Sequence, residues 1–257
     1  MRINKCKSFG IEVHAAAAGS DLSDLDPALI REWVAANRLL ILRDFVLKSD
    51  DDMLSICGRL GNVLQWEFGA INELKVKADA ANYLYTSHAV PFHWDGAFVG
   101  RVPHLIFFHC VNAPAADSGG ETTFCNTVDL LQAIPAAERD AWSNIRVTYS
   151  TEKVVHYGGS FTSPLIDSHT VSGEPVIRFA EPVDDLNPVN LMIDGLPENE
   201  HAAFLSRMQR LLYNPAYCID HVWRPGDIVI ADNHALLHGR RAVVESGDRH
   251  IRRVNVM

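Results

Sequence analysis

No two cysteines of this 257-residue sequence stand in a C-x-x-C spacing, and the five present (Cys6, Cys57, Cys110, Cys125, Cys218) are odd in number and widely scattered. That pattern excludes a zinc knuckle or a disulfide framework and reads as reduced thiols, so a cytoplasmic protein is expected. Basic residues are in deficit: 23 Lys+Arg against 32 Asp+Glu leave a formal charge of -9. A nucleic-acid binder needs a basic surface to displace counterions, so that class falls away. No apolar run approaches the ~20 residues that cross a bilayer. The alanine run that follows Arg2, Lys5 and Lys7 faintly mimics a signal peptide, but Glu12 and His14 interrupt the stretch that would have to be apolar. We therefore expect neither a membrane nor a nucleic acid among the partners. A G-x-x-x-x-G-K-[ST] phosphate loop and a G-x-G-x-x-G dinucleotide fingerprint are missing. Gly158-Gly159-Ser160-Phe161-Thr162 lacks the closing glycine of a serine-hydrolase elbow.

What is present is an ordinary globular composition, with 47% hydrophobic and 21% charged residues, which excludes a disordered chain. A chain of this length can bury a core without staples. Asp26-Pro27 offers a capping side chain ahead of proline at a first helical position, and Leu29, Ile30, Trp33 and Val34 follow as one stripe. Ser49 and Asp52 resemble a capping box before Met53, Leu54, Cys57 and Leu60. Two more helices are expected, one from near Thr127 with Leu130, Leu131 and Ile134 inward. The other covers roughly Glu198 to Tyr213, with Phe204, Leu205, Met208, Leu211 and Leu212 inward. Short apolar runs at Leu39–Leu42, Leu105–Phe108, Val176–Phe179, Ile228–Ile230 and Val254–Met257 read as strands. Ala78–Val102 and Val154–Pro175 read as long irregular stretches, which are usually functional. No repeat or linker divides the chain, so residues 1–257 are expected to form one domain, a β-sandwich or barrel with helices packed outside it.

Histidine carries the chemistry. In Phe92-His93-Trp94-Asp95-Gly96 an imidazole and a carboxylate stand two apart, a spacing that puts both on one face of a strand. Taken alone the pair means little, because 12 histidines give about one His-x-Asp by chance. A second segment runs from Pro225-Gly226-Asp227 through Asp232-Asn233-His234 to His238. On a helix His234 and His238 would mimic a zinc-protease pair, but Ala235 stands where the catalytic Glu belongs. With strands instead, His93, Asp95 and His238 would form the two-histidine, one-carboxylate triad of non-haem iron(II) oxygenases. Three ligands on one face of an octahedron leave room for a bidentate 2-oxo acid and for dioxygen. Arg249, eleven residues past His238, offers a planar fork for the far carboxylate of such a cosubstrate, and Thr122 offers a hydroxyl.

His93-x-Asp95, Gly119-Gly120-Glu121-Thr122, and the stretch from Trp223-Arg224-Pro225-Gly226-Asp227 through Asp232-Asn233 and His238 to Arg249-x-x-x-Arg253 resemble the taurine-dioxygenase (TauD/TfdA) family in order and spacing. So does the start, with Phe9-Gly10-Ile11 leading into a helix and Leu39–Asp44 as a first core strand. The resemblance implies a mainly β fold with peripheral helices around a double-stranded β-helix (jelly-roll, cupin-like) core. It also implies an Fe(II)/2-oxoglutarate-dependent dioxygenase that consumes O2, with iron on His93, Asp95 and His238, and 2-oxoglutarate on Thr122 and Arg249. Arg253 falls where this family holds its substrate's anionic group, with Arg252 as the competitor if the register differs by one. Asp95 argues against halogenation, since related halogenases carry a small residue there.

Asn82-Tyr83-Leu84-Tyr85, Val90–Phe98 and Gly120-Glu121-Thr122-Thr123-Phe124 are further similar to an isonitrile-tailoring branch of the family. That likeness implies a small-molecule substrate, an isocyano derivative of tyrosine or tryptophan, converted to a vinyl isonitrile by desaturation or oxidative decarboxylation. Tyr83, Trp94 and Phe98 would suit its ring, though aromatics are also ordinary pocket wall. Two alternatives stay open: a hydroxylase of another small amino acid or sulfonate, and a jelly-roll protein that binds metal without catalysis. An oligomer is possible. His104 and His109 read as core or strand-end histidines, Asp184-Asp185 as a solvated loop and Asp227 as a turn residue. His14 and His88 are unassigned.

Overall fold

The computed structural model describes residues 1–77, 79–115, 117–154, 157–244 and 249–257, with the side chains of 99, 153, 154 and 157 left aside. Two sheets face each other. The larger has seven strands in the order Arg2–Lys5, Ile11–His14, Leu39–Arg43, Ile228–Asp232, Leu105–Asn112, His250–Val256, Ile71–Lys75. The smaller has four, in the order Cys218–His221, Thr122–Asn126, Leu236–Arg240, Val90–His93. Neighbours in both are antiparallel, except that Ile11–His14 runs parallel to Leu39–Arg43. A parallel pair needs a crossover, and helix Pro27–Asn37 supplies it. The result is the jelly roll that the sequence led us to expect.

Strand alternation sorts the side chains. Leu40, Leu42, Phe107, Ile228, Ile230, Val254 and Val256 pack outward against Ile30 and Val34 of helix Pro27–Asn37 and Met53 and Cys57 of helix Asp50–Leu60. Their neighbours Leu39, Ile41, Ile106, Phe108, Val229 and Ala231 point inward and meet Phe124 and Leu236 of the smaller sheet. Because both faces are buried, these strands read as continuous apolar runs. The helices begin as their caps predict. Asp26 accepts from the Ala28 amide at 2.9 Å and Ser49 from that of Asp52 at 3.1 Å.

The other face of the smaller sheet carries Val90, Phe92, Cys125 and Leu237 into a third layer. There lie helices Thr127–Ala133, Ala136–Trp142 and His201–Leu212, and a sheet of Arg146–Val154, Tyr157–Pro164 and Asn190–Asp194. Several expectations change here. Val154–Pro175 is largely strand, not irregular; Val155 and His156 lie outside the described residues. Strand Tyr157–Pro164 carries Gly158 and Gly159, exposed Ser160 and Thr162 and a buried Ser163, so no apolar run marks it. Ala78–Val102, whose first residue is likewise outside the description, holds strand Val90–His93 between two short 3-10 turns. The Val176 run forms only Pro175–Ile177 as strand, Ile134 caps its helix rather than extending it, and Ile11–His14 is a strand ahead of the first long helix. No helix among the described residues is long and apolar enough to cross a membrane.

Candidate active site

The gap between the two sheets is where the chemistry-bearing residues meet. Strand Leu236–Arg240 sets His238 directly opposite His93 on one side and Phe124 on the other. All three face inward, and the two imidazole centroids are 4.3 Å apart. The register slips between His238 and Arg240, where Gly239 lets the Val90 carbonyl pass: a Cβ there would sit 2.6 Å from that oxygen. Asp95 lies just past the end of its strand. Its amide donates to Asn233 Oδ1 at 3.0 Å, and Asn233 Nδ2 donates back to the Asp95 carbonyl at 3.0 Å and to the Pro103 carbonyl at 2.9 Å. Gly96 then turns the chain at φ +99, with the Arg101 carbonyl where a side chain would begin.

The Asp95 carboxylate is held from both sides. Arg253 Nη1 donates to Oδ1 at 3.0 Å and Asn255 Nδ2 to Oδ2 at 2.9 Å. Oδ1 lies 3.8 Å from His238 Nε2 and 4.0 Å from His93 Nε2. Burial pushes this carboxyl up, but the Arg253 guanidinium, helped by the Asn255 hydrogen bond, outweighs it and holds it below its usual value. Burial pushes His93 down, only partly offset by Asp95, and pushes His238 well down. Both rings are therefore neutral at pH 7, the form that ligates metal.

These residues fit a metal ion. Their ligand atoms lie within 4.8 Å of one another. His93 Nδ1 is 2.9 Å from the Pro91 carbonyl and must donate to it, which leaves the Nε2 lone pair facing Asp95. His238 Nε2 is buried without a hydrogen-bond partner, an arrangement that costs free energy unless something else takes the lone pair. Two histidines and one carboxylate suit iron(II) and leave coordination positions open.

Two cavities meet at this cluster. The smaller, about 390 Å³, is lined by Thr122, His238, Arg240 and Arg249 together with His93 and Arg253. Thr122 Oγ1 accepts from Trp223 Nε1 at 3.0 Å, so its own hydrogen remains available. Arg249 is buried and donates Nε to the Gly120 carbonyl at 2.9 Å, with no carboxylate partner among the described residues. Burial pushes its guanidinium down to about 9, with Arg240 adding repulsion. A buried cation of this kind calls for an anionic ligand, and the distal carboxylate of 2-oxoglutarate has the right charge and shape. The larger cavity, about 760 Å³, is lined by His93, Asp95 and Arg253 and by the aromatic rings of Tyr83, Trp94, Phe98 and Tyr149. Trp94 Nε1 is buried there without a partner.

Across the whole chain the pattern has a match. The family model described as taurine catabolism dioxygenase TauD, TfdA family matches residues 4–255. The chain belongs to this family. Among its relatives is a 3-((Z)-2-isocyanoethenyl)-1H-indole synthase of Fischerella ambigua, 40% identical over 97% of this chain and 93% of that protein. A tyrosine isonitrile desaturase of Pseudomonas aeruginosa is 33% identical over 96% of this chain and 87% of that one. A solved structure of PvcB, described as an Fe, alpha-ketoglutarate dependent oxygenase from an isonitrile synthetic pathway, superposes with a TM-score of 0.83. It is 30% identical and covers 99% of this chain and 91% of the PvcB chain.

Within this TauD/TfdA frame the remaining candidates separate. Arg253 faces inward, whereas Arg252 faces outward to Asp50 at 2.6 Å and Glu73 at 3.3 Å. His234 does not join His238 on a helix, since Leu236–Arg240 is a strand; its Nδ1 faces Arg178 Nη2 at 3.0 Å and its ring stacks on His104 at 4.7 Å. His14 sits between Glu12 and Asp44, and His88 meets Asp185 at 2.6 Å. Asp227 holds the Arg224 amide in its turn. Sequence reasoning missed Asn255, although it stands two residues past Arg253 and so shares its face. It quoted Asn233 without giving it a role. It also passed over Glu181, a lone acid just past an apolar run.

Proposed function

We propose that this member of the TauD/TfdA family takes the isocyano derivative of tyrosine or tryptophan and converts it to a vinyl isonitrile, with or without loss of the carboxylate. Iron(II) with 2-oxoglutarate is the cofactor set; bound together and supplied with O2, they provide a two-electron oxidation of a substrate C–H bond and release succinate and carbon dioxide. The observation that carries the reading is the pair of cavities flanking a buried His–Asp–His cluster, one holding an unneutralised guanidinium and the other walled by aromatic rings. We assign His93, Asp95 and His238 to the metal, and Thr122 and Arg249 to the cosubstrate. Arg253 is our candidate for the substrate carboxylate, and Tyr83, Trp94 and Phe98 for its ring. The curated relatives named above support the substrate class.

In this reading the chain's own groups orient and exclude. Asn255 and Arg253 fix the carboxylate plane of Asp95, while Asn233 fixes its backbone. The aromatic wall keeps water from the Cα–Cβ bond to be oxidised. Intact metal-ligand candidates within a dioxygenase family leave the non-catalytic alternative without support, and relatives named for an isocyanoethenyl product and for desaturation favour that outcome over hydroxylation. Five unpaired cysteines, three of them buried, fit a reducing compartment, which we take to be the cytoplasm. The test is an anaerobic titration with iron(II) and 2-oxoglutarate, followed by either isonitrile and then oxygen. We expect a visible charge-transfer band, its perturbation by the isonitrile, and a vinyl isonitrile as product. A band indifferent to both isonitriles, or a hydroxylated product, refutes the substrate or the outcome respectively.

A further inference from the structure

The aromatic cavity has on its wall an acidic group that the site as described does not use. Glu181 is only 9% exposed, yet it lines the same space as His93 and Asp95. Its backbone and one carboxylate oxygen grip the free edge of strand Val90–His93. The Glu181 amide donates to the Phe92 carbonyl at 2.9 Å, and Oε2 accepts from the Phe92 amide at 2.9 Å. Tyr213 donates its hydroxyl to that same Oε2 at 2.8 Å. Oε1 has no hydrogen-bond partner among the described residues, and no cation pairs with this carboxylate there. Burial raises its proton affinity above the ordinary Glu value, against the two donors on Oε2.

Strand Val90–His93 is the edge of the smaller sheet, with Leu236–Arg240 on its inner side. Glu181 therefore lies beyond that edge, on the opposite side from His238. The cavity thus has two unlike polar poles: the Arg253 guanidinium at the metal cluster, its Nη1 on Asp95 and its Nε without a hydrogen-bond partner, and the uncompensated carboxylate of Glu181. An isocyano amino acid carries a carboxylate but no ammonium. Its anionic head would be repelled by Glu181 and attracted by Arg253. The part of the substrate that reaches Glu181 is then the ring, and a carboxylate oxygen there can only accept.

Resting on the function proposed above, we infer that Glu181 Oε1 accepts a hydrogen bond from an N–H or O–H borne by the substrate's ring, so that this residue selects indole or phenol over rings without a donor. A site built to bond such a group rejects the analogue lacking it, because its own polar atom is left unpaired.

The test compares dissociation constants on the anaerobic protein loaded with iron(II) and 2-oxoglutarate. Tyrosine isonitrile is paired with phenylalanine isonitrile, and tryptophan isonitrile with its benzothienyl analogue, in which sulfur replaces the indole N–H. Within at least one pair the donor-bearing ligand is expected to bind about tenfold or more tightly, the loss of a hydrogen bond to a charged acceptor. In Glu181→Gln the amide oxygen must take over the two donors now on Oε2, which places the NH2 where Oε1 was. Donor then meets donor, and the preference should vanish or invert while the donor-free ligands bind as before. Equal binding within both wild-type pairs overturns the inference without needing any variant, as does a preference that survives in Glu181→Gln. Free tyrosine or tryptophan binding more tightly than its isonitrile, with that advantage lost in the variant, would assign Glu181 to an ammonium instead. If no isonitrile binds at all, the proposed function fails and this assignment falls with it.

Discussion

Replacing Asn233 with alanine should damage the protein twice, in stability and in metal affinity, although Asn233 is not among the proposed ligands. The side chain is 1% exposed and makes three hydrogen bonds, accepting from the Asp95 amide and donating to the Asp95 and Pro103 carbonyls. Truncation orphans one donor and two acceptors in a place with little room for water. At about 1–3 kcal/mol per buried unsatisfied group, and allowing for sharing between adjacent groups, the loss is about 3–5 kcal/mol. For a chain of this size that corresponds to a drop in Tm of roughly 6–20 °C. Because the bonds fix the backbone of Asp95, the same change should weaken metal binding by about 10–100-fold, the range found when groups supporting a ligand are removed. Thermal unfolding of the metal-free protein reads the first effect, and anaerobic iron(II) titration of the folded variant below its Tm reads the second. Asn233→Asp is expected to be no milder, since it keeps the acceptor for the Asp95 amide but turns an acceptor toward two carbonyls. Val171→Ala, at a residue 77% exposed, is the control for a neutral substitution. A variant that melts within about 2 °C of the wild type and binds iron(II) equally well would refute the reasoning.

Three other outcomes follow from the same geometry. His93→Ala and His238→Ala should each abolish 2-oxoglutarate turnover while circular dichroism stays native, because neither imidazole holds the fold together; turnover in either variant would contradict the ligand assignment. Arg249→Ala should raise the 2-oxoglutarate dissociation constant by about 100-fold, the loss of a buried charge-assisted carboxylate contact, with iron(II) affinity little changed; an unaltered constant places the cosubstrate elsewhere. His109 and His234 are pushed down to about 4 by burial, with neighbouring guanidinium charges adding to it. The unfolded chain therefore binds protons that the native state refuses between pH 6.5 and about 4. Their contribution to stability is complete above pH 6.5 and is lost as the pH falls through that window. Denaturant melts of the metal-free protein from pH 7.5 to 5 should show the decline, and a flat profile would contradict the burial of these rings.

Local signals carried much of this fold, and long-range ones did not. Asp26-Pro27 and Ser49 are visible caps because the bonds they make reach only two or three residues along the chain. The strands Leu39–Arg43 and Ile228–Asp232 are legible because both their faces are buried. Strand Arg146–Val154 has one wet face and went unassigned, and Tyr157–Pro164, which carries Gly158 and Gly159, reads as irregular. Helix Ala136–Trp142 opens on Pro135 without a side-chain cap and buries little besides Trp142, which left it unmarked. At the site, the spacing of His93 and Asp95 and the family order of His238, Arg249 and Arg253 pointed to residues that the fold brings together. Asn233 and Asn255 act on Asp95 across 138 and 160 residues of chain. No local pattern announces a bond of that span.

The sandwich also divides responsibility between parts of the chain. The residues assigned to iron and to 2-oxoglutarate stand on, or just beyond the ends of, strands of the two facing sheets. Those strands are fixed by registers that cannot slip by one residue without turning every side chain over. Besides the edge strand, Asp95 and Arg253, the wall of the aromatic cavity comes from outside that frame: Tyr83 before the edge strand, Phe98 after it, and Tyr149, Glu181, Val183 and Val189 from the third layer. Inheritance can therefore act on the two halves separately. On the proposed assignment, substitutions in the outer segments would retune which ring is admitted while coordination is passed on intact, so lineages sharing this frame could diverge in substrate faster than in chemistry. For an engineer the same partition says where to randomise: Tyr83, Phe98, Tyr149, Val183 and Val189, with Gly96 and the strands of the two facing sheets left alone.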